Sequence, residues 1–151
     1  MLHWSGDCEQ SFQATGGRGA GLQFFDLGPN RRLLEVACSS GAYQGSEEYF
    51  LLEQNGSSSA VHALSFLTYE ASGPDGKTLT PKSVNEITGL PEFDRVSHEL
   101  KILNRYRGPG DCGSYATYTF ESGTAVLKQF RAKLDCDVTS AEHPEQWPIR
   151  K

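Results

Sequence analysis

The sequence predicts a mainly β protein, and three observations carry that reading. Short segments rich in Val, Thr, Tyr and Phe are punctuated by turn residues. Asn55-Gly56 and Ser122-Gly123 each stand between two strand-like segments, where glycine supplies the positive φ of a hairpin turn. No stretch sustains the 3.6-residue apolar period of a long helix. The expected architecture is a single domain over 1–151 of antiparallel hairpins, sandwich or barrel-like, with little helix and with 1–21 and 138–151 partly irregular. A chain of 151 residues can bury one continuous core, whereas two independent domains would each be marginal.

Taken in order, Asp7-Cys8-Glu9-Gln10-Ser11-Phe12-Gln13 is the best helical candidate, a turn or two long with Asp7 able to cap its start. The glycine-rich run 16–21 reads as a flexible surface loop, since no strand precedes it and no helix clearly follows, as a phosphate-cradling loop requires. Strands are expected over Leu22 to Leu27, Arg32 to Cys38, Glu47 to Gln54, Val61 to Glu70, Ser83 to Thr88, Glu99 to Arg107, Tyr115 to Glu121 and Thr124 to Leu134. Pro74-Asp75-Gly76-Lys77 marks a further turn. Tyr49-Phe50-Leu51-Leu52 is apolar at both parities, so this strand should be covered on both faces. In the last strand Val126, Phe130, Ala132 and Leu134 share a dry face, opposite Gln129, Arg131 and Lys133. A faint echo leaves room for two related halves: Cys38, Tyr43 and a hairpin, then Cys112, Tyr115 and a hairpin. Trp147 is the residue able to tie down the tail.

Charge narrows the function classes. Fourteen Lys and Arg against nineteen Asp and Glu give a net charge of −5, the opposite of a phosphate-backbone binder, so no nucleic-acid partner is expected. No apolar run approaches the roughly 18 residues of a membrane span. Four cysteines, Cys8, Cys38, Cys112 and Cys136, form two distant pairs with no C-x₂₋₄-C knuckle, and His3, His62, His98 and His143 lack ligand spacing. Disulfides are therefore favoured over buried free thiols, and a metal is not expected. Three pairings are possible; the local one joins Cys8 to Cys38 and Cys112 to Cys136, each bridge stabilising by roughly 3.5 kcal/mol on the chain-entropy account. Disulfides imply an oxidising compartment, periplasmic or secreted, and an export signal that preceded the chain.

Candidate chemistry is thin. Asp111-Cys112-Gly113-Ser114-Tyr115 partly matches the cysteine-protease text C-G-S-C-[WY], yet Tyr115 stands where the nucleophilic cysteine belongs. Glu47, Glu48, Asp94, Asp111, Asp135 and Asp137 could supply paired carboxylates, although nothing in the sequence brings them together. His62, in phase with Leu64 and Phe66, reads as a core histidine. Arg105, Tyr106 and Arg107 beside a glycine-bracketed loop could grip an acidic group. The favoured reading is structural, with Arg107 bonding loop carbonyls or pairing with Asp111 to fix the Gly-Pro-Gly turn. No cofactor is expected.

Gly89-Leu90-Pro91-Glu92-Phe93-Asp94, Tyr106-Arg107-Gly108-Pro109-Gly110-Asp111-Cys112-Gly113, Tyr118-Thr119-Phe120, Phe130-Arg131-Ala132, Asp135-Cys136 and Glu145-Gln146-Trp147-Pro148, in this order, resemble a bacterial extracytoplasmic family catalogued as domain of unknown function 1176. Cys38-Ser39-Ser40-Gly41-Ala42-Tyr43 is similar to a further hallmark of that family. The resemblance implies an exported β protein and brings no catalytic residues. A looser similarity, Phe93-Asp94 and the Tyr118-Thr119-Phe120 hairpin, is to periplasmic lysozyme inhibitors. The expected function is non-enzymatic binding or inhibition of a protein or cell-envelope component. Tyr43, Arg105, Arg107, Asp111 and Tyr115 are the candidate contacts, on loops Ser39 to Tyr43 and Arg107 to Tyr115. The alternatives are a carboxylate hydrolase of envelope polymers and a purely structural protein.

Overall fold

A computed structural model describes residues 3–14, 21–137 and 143–150. It contains one α-helix, α1 (Gly6–Ala14), a single 3₁₀ turn at Pro144–Gln146, and ten strands among the described residues. The strands are β1 (Leu22–Gly28), β2 (Arg31–Ser40), β3 (Gly45–Asn55), β4 (Ser58–Ala63), β5 (Phe66–Ser72), β6 (Thr78–Val84), β7 (Glu86–Asp94), β8 (Glu99–Arg105), β9 (Gly113–Glu121) and β10 (Thr124–Lys133). Seven of them run β1-β2-β3-β7-β8-β9-β10 in one antiparallel sheet, β4 adds to the far end of β3, and β5 with β6 form a separate hairpin.

The sheet is two meanders sewn together by a short seam. β3 pairs with β7 only over Gly45–Glu48 and Glu86–Gly89, then turns to β4, while β7 turns to β8 from Leu90 onward. Gly89 makes this change of partner. It has φ +154°, and a Cβ there would lie 2.7 Å from Ile102 Cγ2 and 2.8 Å from Leu103 O, so only glycine lets β8 come this close. The sheet then curls until Arg31 on β2 donates to Phe120 O on β9 at 3.1 Å. It does not close into a barrel.

Curling buries one face. Leu33, Tyr49, Leu51, Leu100, Ile102, Tyr118 and Phe130 meet there, and Phe66 at the start of β5 plugs the centre, edge-on to Tyr49 and Tyr118 at 5.5 and 5.0 Å between ring centroids. The opposite face of β2 and β3 is covered by α1: Leu34, Val36 and Phe50 pack with the Cys8–Cys38 disulfide. Tyr49 to Leu52 is thus apolar on both sides because each side has its own cover. The tail is tied down as expected. Trp147 is 1% exposed, Ala132 N donates to Pro148 O at 3.0 Å, and Arg131 Nη1 donates to Trp147 O at 2.7 Å.

Four expectations are corrected. Val61 to Glu70 is two strands, since the chain leaves the edge of β3 after Ala63 and crosses so that Leu64 and Phe66 can both turn inward. Consequently His62 does not share their burial; it is exposed and lies 3.4 Å from Glu53. Ser83 to Thr88 straddles two strands, β6 and β7, whose Pro81 and Pro91 masked their full length; Pro81 is tolerated because β6 belongs to a two-stranded hairpin. Finally, the register of β10 slips between Leu127 and Gln129. The bulge at Lys128 reverses parity, so Ala125 and Leu127, not Val126, join Phe130, Ala132 and Leu134 on the core. Of the glycine-rich loop 16–21, only Gly21 is within the described residues.

Candidate binding cleft and its braced rim

The segment between β8 and β9 is locked from inside. Tyr106 N donates to Cys112 O at 3.2 Å and Gly110 N to Arg107 O at 3.0 Å, closing a tight loop. Arg107 forks onto Asp111, with Nε to Oδ1 at 2.8 Å and Nη2 to Oδ2, and also reaches Cys136 O at 3.1 Å. This pairing holds the Asp111 carboxyl below and the Arg107 guanidinium above their ordinary pKa values. Cys112, bonded to Cys136, is fully buried. Gly113, at φ +157°, lets the backbone pass so close that a Cβ would stand 2.1 Å from Asn104 O. Arg105 is half-buried, its stem lying under Gly110. Arg105, Arg107, Asp111, Cys112 and Gly113 therefore each have a structural task.

A second loop is stitched to the first. Gly41 N donates to Gln44 O at 2.8 Å, and Ser39 and Ser46 share a hydroxyl contact of 2.5 Å. Gln44 then bridges the loops: its Nε2 donates to Asn104 Oδ1 at 2.8 Å and to Arg105 O at 3.2 Å, while its Oε1 accepts from Arg105 N at 2.8 Å. Tyr43 projects from this junction, 41% exposed. Arg107, Gly108 and Pro109 are exposed in the first loop. Tyr115 is placed differently. It is half-buried within β9 on the sheet's outer face, and burial, Glu145 and Glu92 push its hydroxyl up to about 12.

Behind this rim the sheet and the β5–β6 hairpin enclose an open cleft of about 690 Å³. Asn104, Tyr106 and Ser114 form its end nearest the loops, and Ile87, Ile102 and Leu134 its apolar wall. The hairpin tip is moored across by Lys77 Nζ to Asp135 Oδ1 at 2.6 Å, and its base by Tyr118 Oη donating to Leu67 O at 2.9 Å. Tyr106 Oη is buried without a hydrogen bond of normal geometry, although Ser114 is near enough to offset part of the upward effect of burial on its pKa.

Sequence reasoning named Glu47 and Glu48 without placing them inside the fold, and missed Glu35 and Glu86. On the core face, Glu35 lies opposite Tyr49, whose hydroxyl donates to Glu35 Oε2 at 2.8 Å. Glu47, one step along β3 on the same face, has an Oε2 with no partner. Burial, then Glu35, then Glu86 push its pKa up to about 8, so it is mostly protonated at neutral pH. Strand parity held the signal, because Glu47 is in phase with Tyr49 and Leu51. Glu48 faces the other way and accepts from Ser5 N, at the start of α1, at 3.2 Å to each oxygen. It clusters with Glu86, Cys8 and Cys38, but sulfurs joined in a disulfide offer no thiolate to a metal. The other acids weighed as catalytic partners are engaged elsewhere. Asp94 caps Val96 N and Ser97 N at 2.8 and 3.1 Å, Asp111 holds Arg107, Asp135 holds Lys77, and Asp137 adds to the field on Arg107.

Fold and site together define a disulfide-braced open β-sheet domain with a cleft behind two joined loops. Its sequence matches the family described as "Protein of unknown function (DUF1176)" over residues 4–150, and the chain belongs to that family. No curated protein and no solved structure matches it. Its two disulfides fit an oxidising compartment, and no helix among the described residues is long and apolar enough to cross a membrane.

Proposed function

We propose that the protein is a non-catalytic, exported binding module, and that the joined loops Ser39 to Tyr43 and Arg107 to Cys112 are its contact surface for a protein of the cell envelope. The observation that carries this is the Gln44 bridge. Two exposed loops, each beside its own disulfide, are held at a fixed spacing by three hydrogen bonds from one side chain. Loops ordered in advance lose little entropy on docking, which is how a modest rim gains affinity. Tyr43 is the natural anchor, a large amphipathic ring standing on a rigid turn. Carboxylate catalysis has less support, since Glu35 and Glu47 are both buried and both shifted toward the neutral form.

Affinity capture from an envelope fraction, run with the wild type, Tyr43→Ala and a Val61→Ser control on β4, tests the reading. A specific partner should lose about tenfold or more in affinity with Tyr43→Ala and nothing with the control; equal capture by all three contradicts it. Inhibition of a c-type lysozyme is the sharpest special case. Unaltered lysozyme activity at excess protein removes the inhibitor version.

A further inference from the structure

We propose that the cleft between the β5–β6 hairpin and the sheet is a binding site for a neutral carbonyl compound, an amide or ester with apolar groups on both sides of the carbonyl. Its volume of about 690 Å³ lies within the range of small-molecule sites, and the ladder register lays out its floor. Asn104 and Ser114 pair across β8 and β9, and in the next row of the same face Ile102 pairs with Ala116. In the row beyond Ser114 stands Leu134, two positions past Ala132, the partner of Ser114 on β10. A polar band therefore crosses the floor with apolar surface on either side.

Charge and hydrogen-bonding capacity select the occupant. The floor over β8 to β10 carries no charged side chain. Glu86 borders the cleft at the start of β7, but its carboxylate turns to the α1 face, where it accepts from Ser46 Oγ at 2.5 Å beside Glu48. On the hairpin Lys82 is matched to Glu70 at 3.3 Å, and the exposed Asp75 accepts from Lys77 N at 3.1 Å. The acids of β2 and β3 on the floor's own face, Glu35 and Glu47, are pushed toward the neutral form by burial. A charged ligand would shed water there without gaining a counter-ion. The polar band asks for an acceptor. Asn104 Oδ1 already accepts from Gln44 Nε2 at 2.8 Å, so the group this side chain has left for a ligand is its Nδ2 donor. Ser114 adds a hydroxyl, and Tyr106 Oη beside it is buried without a hydrogen bond of normal geometry. A carbonyl oxygen at this band, with one apolar substituent on Ile102 and Ala116 and the other on Leu134, meets both demands. The site is separate from the contact surface of the rim.

The test is a two-dimensional amide NMR titration of the folded protein with N-butylbutanamide, dibutylammonium and octanoate at neutral pH. N-Butylbutanamide should give saturable shifts centred on β5, β6 and the amides of Ile102, Asn104, Ser114 and Ala116, with the two charged probes each at least about fivefold weaker, a difference near 1 kcal/mol. Asn104→Asp keeps an acceptor for Gln44 but removes the Nδ2 donor; with its fold verified by the same spectrum, it should weaken the amide about fivefold or more. Ser114→Ala, which leaves the Gln44 bridge in place, should weaken it about threefold and serves where the first variant does not fold. Butyl butanoate distinguishes the source: tighter binding than the amide assigns the site to acyl esters, equal or weaker binding to amides. A charged probe that binds as tightly as the amide, full amide affinity in every variant that folds, shifts elsewhere, or no saturable shift overturns the proposal.

Discussion

Glu47 is the residue whose behaviour most directly exposes the electrostatics of the interior. Its carboxyl, near 4.5 when exposed to water, is pushed up to about 8 in the fold, so the folded state binds a proton that the unfolded chain releases. The resulting stabilisation is complete below about 4.5 and is lost as pH rises through about 8. Glu47→Gln should therefore match the wild type near pH 4.5 and exceed it by about 1–3 kcal/mol near pH 9, after allowance for partial solvent access. Urea unfolding at both pH values checks this; the same difference at both would show that Glu47 ionises normally. Gly113 gives a second, purely steric prediction. Gly113→Ala forces a methyl group into Asn104 O and should lose about 3 kcal/mol or more, whereas Gly6→Ala, with open space around it, should be close to neutral. The burial of Glu47 and the close approach of backbone at Gly113 were not readable from sequence alone. Two successive glutamates look solvated, and which of them turns inward depends on α1 and on the curled sheet around Phe66, which cover the two faces of β3 from far along the chain.

At the scale of elements, turns and disulfides were legible because their causes are local. Asn55-Gly56 and Ser122-Gly123 do connect β3 to β4 and β9 to β10, Ser122 itself having φ +48°. The Arg107–Asp111 clasp follows from a four-residue spacing around a Gly-Pro-Gly turn. The bulge at Lys128 was not legible, since an inserted residue leaves no mark in composition and shows only when β9 supplies the register. Nor was the Gln44 bridge, which joins residues sixty positions apart. The Cys112–Cys136 bridge closes a span of 24 residues, and replacing both cysteines by serine should lower stability by about 3.5 kcal/mol on the chain-entropy account. Amide exchange should then accelerate over 106–112 while α1, fastened by Cys8–Cys38, keeps its protection. Equal acceleration in both places would mean that the two bridges do not brace separate elements.

At the scale of the whole molecule, the fold is an open sheet that gains its core by curling around Phe66, and a cleft remains where the β5–β6 hairpin meets β7 to β9. Mainly β architecture was readable from strand-like text and turns; the opening was not, because sheet closure depends on the seam at Gly89 and on long-range contacts such as Arg31 to Phe120 O. The two hairpins that echo one another in sequence also part company here. β9 and β10 stay paired throughout, while the chain after β4 breaks away to build the hairpin that roofs the cleft. The rim is where this architecture places rigid, exposed side chains. Photocrosslinking in the cell envelope tests that claim most directly, with a benzoylphenylalanine placed in turn at positions 43, 109 and 61. The proposed surface predicts that one partner is captured from 43 and from 109 and is absent from 61; capture of the same species from all three, or from 61 alone, would contradict it.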